Sequence, residues 1–166
     1  MLRIEPGTEP TSFDASVRQP GLHWISQQAW DIHSVAPDNT QFPDYWRQCA
    51  DDLRTLFSRQ CCYSGCYMRK SEVIPVEHYF PKQFFPFLAY EWENYRYCSA
   101  RINSRKGLKL VLDPFDIPAG ICLFHLDFVS GDISVNPAIQ ATMPALWDIA
   151  HYTMSKEGLA LNDGLF

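Results

Sequence analysis

The chain has 166 residues, 46% of them apolar and 14% aromatic, enough to close one packed core, and nothing in its composition marks disorder. The longest uninterrupted non-polar run, residues 119–124, falls far short of the roughly 20 residues a bilayer span needs, and residues 1–14 hold no apolar secretory segment. A net charge of −5 opposes indiscriminate polyanion binding, so the first expectation is a soluble, cytoplasmic protein with no membrane partner.

In chain order, the first 43 residues carry five prolines and few periodic segments, which predicts an irregular N-terminal wrap over a single domain running across 44–166. Trp46, Cys49, Leu53, Leu56 and Phe57 then recur at helical spacing, with Asp44 as a capping residue and Arg54 and Arg59 toward the end, where cations suit the helix dipole. The stretch SEVIPVEHY predicts a strand ending near His78 and confined by Pro75 to an edge. Residues 79–93 contain seven aromatics, which reads as a loop anchored by its own small core.

NYRYC predicts a second short strand, after which Ser99 caps a helix through Lys106 that ends at Gly107. Two more strands meeting at Ser130 and Gly131, and a helix behind Pro144, complete an α+β pattern. His125 lies in an apolar strand pattern and reads as a core histidine. The six cysteines, without a secretory signal, point to metal binding or burial rather than disulfides. Residues 69–109 carry a local charge of +4 against −9 elsewhere, a distribution that can focus a polyanion on one face.

Glu77 and His78 are neighbours where the first strand must break before Pro81. Only at such a break can adjacent strand residues serve one substrate. A carboxylate is a hard ligand for Mg²⁺ or Mn²⁺, and an imidazole is a serviceable general base near neutral pH. Asn103 on the following helix offers a second oxygen ligand across the hairpin. Asn94 is placed to hold the loop that orients His78, and Arg105 and Lys106, with Lys82 and Arg101, are candidate phosphate-binding cations.

These segments, VEHYFPK, WENYRYC and RINSRKG, resemble the HNH endonucleases of the ββα-metal superfamily over residues 61–114. The resemblance implies a hairpin-plus-helix core, with Glu77 as first metal ligand, His78 as general base, Asn94 as the middle asparagine and Asn103 as the last motif position, an H-N-N variant. It implies a metal-dependent endonuclease acting on nucleic acid, double-stranded DNA foremost, like the small HNH subunits that accompany ATPases in bacterial anti-phage systems of the Septu and retron kinds. The alternative is a silent HNH-derived module that binds nucleic acid or protein. Relatives with two C-x-x-C pairs hold a structural zinc; here Cys62 (or Cys61), Cys66 and Cys98 are at most three of the four ligands, and Ile102 stands where a relative has cysteine.

Overall fold

The computed structural model describes residues 3–69 and 75–163. Among these, the chain forms a small α+β domain with four α-helices and two separate two-stranded antiparallel sheets. A π-helical segment, Asp14–Arg18, runs directly into α1 (Gln19–Ser26), with Pro20 in the first turn of α1. Phe13, Val17 and Ile25 turn inward from this run. The expected irregular wrap is therefore helical in its middle, because four of its five prolines fall outside the helical run.

The next helix is shorter and tighter than its apolar spacing predicts. A 3₁₀ turn, Tyr45–Cys49, leads into α2 (Ala50–Leu56). Asp44 does not cap it; its carboxylate pairs with Arg47 at 2.7 Å instead. Trp46, Cys49, Leu53 and Phe57 are buried as the spacing requires.

β1 (Val76–His78) pairs with β2 (Tyr95–Tyr97), placing Glu77 opposite Arg96 and His78 opposite Tyr95. The start of the expected strand, residues 71–74, lies outside the described residues. Ser99 Oγ accepts the Ile102 N–H at 3.3 Å to open α3 (Ala100–Lys106). Gly107 closes α3 at φ +50°, a backbone conformation that side chains disfavour. β3 (Phe124–Leu126) and β4 (Ile133–Val135) form the second hairpin, and α4 (Pro144–Met154) packs on β4. His125 on β3 is exposed, not a core histidine.

Two apolar clusters result. The larger gathers Phe13, Trp46, Leu53, Tyr90, Tyr95 and Ile102 around the first hairpin; the smaller joins Leu123 and Val135 to Ala150 of α4. Among the described residues no helix is long and apolar enough to cross a membrane.

Through the larger cluster passes a buried ion pair. Arg96 donates from Nε to Asp113 Oδ1 at 2.8 Å and from Nη2 to Oδ2, while Nη1 donates to the Glu93 and Tyr95 carbonyls at 2.7 and 2.9 Å. Asp113 also accepts the Phe115 N–H at 3.1 Å, and the Phe115 ring centroid lies 3.6 Å from the guanidinium. Two charges so removed from water are tolerated only when their donors and acceptors are met. Arg96→Met strands the Asp113 carboxylate, and urea denaturation is expected to show a loss of about 3–5 kcal/mol. Adding Asp113→Leu should recover much of it, since an apolar pair leaves no buried charge unpaired.

Candidate active site

β1 ends at His78 and the chain turns before Pro81, which cannot donate to a ladder. At this end Glu77 and His78 line one cleft of about 290 Å³. Asn103 of α3 lines it too, with Lys82, Asp38 and Gln83 and the apolar Phe42 and Leu108. The fold thus brings together the carboxylate, imidazole and amide that lie 26 positions apart in sequence.

The His78 ring is buried edge-on against Trp46 and Tyr95, with ring centroids 4.7 and 5.2 Å away. Its Nε2 lies 3.0 Å from the Ala89 carbonyl oxygen. A carbonyl only accepts, so Nε2 carries the proton and Nδ1 keeps its lone pair. The same carbonyl accepts the Tyr95 hydroxyl at 2.9 Å.

Asn94 fixes both sides of this arrangement. Its Oδ1 accepts the Phe80 N–H at 2.7 Å, and its Nδ2 donates to the carbonyls of Phe80 and Leu88 at 3.0 and 2.9 Å. Phe80 lies two residues beyond the imidazole, and Leu88 precedes the residue that accepts from it. One buried amide therefore ties the turn after His78 to the segment that leads to Ala89, the loop contact expected of Asn94.

Burial pushes the His78 pKa down to about 3, Lys82 adds to this and the Ala89 hydrogen bond partly opposes it. Burial pushes Glu77 up to about 7, against the attraction of Lys106. The Lys106 ammonium, fully buried, lies 2.6 Å from Glu77 Oε1 and donates to the His78 carbonyl at 3.0 Å. Oε1 is sealed from solvent, and its contact with Lys106 is an ion pair without aligned hydrogen-bond geometry. Lys82 sits 4.3 Å from the Trp46 ring centroid and 5.7 Å from that of Phe42; burial lowers its pKa and Glu77 opposes that shift.

The donor chemistry of the cleft suits a hard divalent cation, with one carboxylate and one amide oxygen. Among the described residues no hydrogen bond engages the Asn103 side-chain amide, and no group of three or more His, Cys, Asp or Glu is arranged around a metal position. A cation held here would rest on the carboxylate and amide, with water completing its shell as Mg²⁺ prefers.

The other predicted cations are placed differently. Arg105 donates from Nη1 to the Leu159 and Ala160 carbonyls at 3.3 and 2.8 Å and from Nη2 to that of Asp163 at 3.1 Å; Arg101 Nη2 reaches the same Asp163 carbonyl at 2.9 Å. These bonds tie the C-terminal turn to α3. Lys106, expected to receive a phosphate, is fully buried and turned onto Glu77 instead, while Arg105 is half-buried on the C-terminal carbonyls. Among the described residues lining the cleft, Lys82 is the one cation.

Of the zinc candidates, Cys62 and Cys98 are fully buried and Cys66 is half-buried. Burial pushes both buried thiols well up. Ile102 fills its position as core. The participants that sequence reasoning missed are the Ala89 carbonyl, which no side chain announces, and Trp46 and Tyr95, legible as core but not as walls of an imidazole slot.

No family model, curated protein or solved structure matches the chain. A nitrogen-15 NMR titration should find His78 neutral, with the proton on Nε2, from pH 8 down to about 4.5, since its folded pKa is about 3. The unfolded ring gains a proton near about pH 6.5, so His78 stabilises the fold above that pH and the contribution is lost as pH falls toward 3. Glu77 acts in the opposite sense: its contribution is fully present below about pH 4.5 and is lost as pH rises through about 7.

Proposed function

We propose that the chain is a metal-dependent endonuclease of the HNH type, hydrolysing phosphodiester bonds of nucleic acid with double-stranded DNA as substrate. The observation that carries this reading is the shared cleft of Glu77, His78 and Asn103, into which an imidazole of fixed tautomer and a single lysine converge. The strand, strand, helix order of β1, β2 and α3 is the arrangement that a ββα-metal core requires.

In this reading His78 Nδ1 accepts a proton from a water molecule whose oxygen forms the new bond to phosphorus. The opposite phosphorus–oxygen bond breaks, and the leaving oxygen takes a proton from solvent. Burial keeps the ring deprotonated at neutral pH, and the negative charge of a phosphodiester bound beside it would raise its hold on a proton toward the range in which general-base catalysis is effective. Lys82, on the cleft wall, contacts a non-bridging phosphate oxygen. Glu77 and Asn103 are the residues that would hold Mg²⁺ or Mn²⁺, which when bound supplies Lewis-acid stabilisation of charge on the phosphoryl group. An ATPase partner in a bacterial anti-phage system, implied by the family resemblance, is the setting we propose for this activity.

The test incubates the purified chain, alone and with its proposed partner, with supercoiled plasmid and Mg²⁺ or Mn²⁺. His78→Ala should lower nicking by about 10²–10⁴-fold, the range general-base catalysis supplies, and Asn103→Ala should nearly abolish it. Lys82→Ala should weaken DNA binding and flatten its salt dependence by about one unit of slope, whereas Arg105→Ala should leave that slope unchanged and lower stability. Undiminished nicking by the His78 variant removes the assigned base. Metal-independent DNA binding without cleavage by the parent identifies a binding module instead.

A further inference from the structure

The geometry points to Lys106 as a positioning residue that clamps Glu77 from behind, holding Oε1 so that Oε2 is presented to a divalent cation in the cleft. This rests on the nuclease reading and adds a member that contacts neither substrate nor cation. Lys106 is the last residue of α3, three positions after Asn103, yet it is fully buried and does not line the cleft, whereas Asn103 and Glu77 do. Its ammonium touches Oε1 at 2.6 Å, and that oxygen is closed to solvent. Glu77 nonetheless lines the cleft, and of its two carboxylate oxygens Oε1 alone is sealed without a hydrogen bond, so we assign Oε2 to the cleft.

The second contact of Lys106 is with the His78 carbonyl at 3.0 Å. One ammonium thus pins the carboxylate and the backbone of the adjacent base to the helix that carries Asn103. The placement of all three cleft groups relative to one another passes through a single side chain. Groups that orient a metal ligand in this way typically change metal affinity about 10–100-fold when removed.

The experiment measures Mn²⁺ binding to the full chain by electron paramagnetic resonance of the free ion, for the parent and for Lys106→Met, Lys106→Gln and Lys106→Arg, with folding followed by circular dichroism. Methionine removes charge and donor, glutamine keeps a donor without charge, and arginine keeps both. The expected result is Mn²⁺ affinity at least about tenfold weaker in the methionine and glutamine variants, and weaker than the parent with arginine too, whose fork can take both carboxylate oxygens. A second measurement needs no variant: reductive methylation of the parent, read by mass spectrometry, should leave Lys106 protected with and without Mn²⁺ while exposed Lys156 reacts.

Folded neutral variants that bind Mn²⁺ as the parent does overturn the inference and leave the nuclease reading standing. Lys106 that methylates as fast as Lys156 once Mn²⁺ is added also overturns it, because the ammonium has then left Glu77. A parent chain that binds no Mn²⁺ overturns both readings.

Discussion

The arrangement of this site depends on a carboxylate kept out of water. Glu77 is 3% exposed at the centre of a three-residue strand, and an unpaired carboxylate there is costly enough that a buried acid normally takes up a proton instead. Lys106 offsets part of that cost, and the price is geometric: α3 must end where its final side chain reaches back under β1. Ser99 and Gly107 set those limits, one by its cap and the other by its positive φ. The length of a seven-residue helix is thereby tied to the electrostatics of the strand beneath it.

The imidazole is held by a different device. Glu77 needs a countercharge, whereas neutral His78 needs only one acceptor of known position and walls that keep water from Nε2. Ala89 supplies the acceptor, and Trp46 and Tyr95 supply the walls. Asn94 grips the carbonyls of both Phe80 and Leu88, so the loop of seven aromatics is tied on either side of its exposed Phe84 and Phe85. A loop of this composition that was merely packed would fix no tautomer.

What the sequence made legible follows from which interactions are local. Hydrophobic periodicity, the Ser99 cap, the Gly107 stop and the turn at Gly131 act within a few residues, and the elements they define are present in the structure. The grouping of Glu77, His78 and Asn103 was readable because strand, strand and helix are consecutive. The direction of Arg105 and Lys106 was not: neighbours on a short helix differ by about 100° of rotation, so one meets the C-terminal carbonyls and the other Glu77. The exposure of His125 escaped for a related reason, since a short apolar strand does not reveal which face the domain covers.

The two buried ion pairs also explain each other. Glu77 and Arg96 face one another across the β1–β2 ladder and carry opposite charges, yet Arg96 commits its forked guanidinium to Asp113, 17 residues on. An arginine that turned instead to Glu77 would occupy both carboxylate oxygens in a bidentate clasp and close the cleft to any other cation. A lysine is a point charge and satisfies one oxygen. Diverting Arg96 to Asp113 and assigning Lys106 to Glu77 gives the hairpin two neutralised acids but leaves an oxygen of only one of them turned toward the cleft. Asp113, which does not line the cleft, thus bears on it by holding the arginine that would otherwise be free to turn to Glu77.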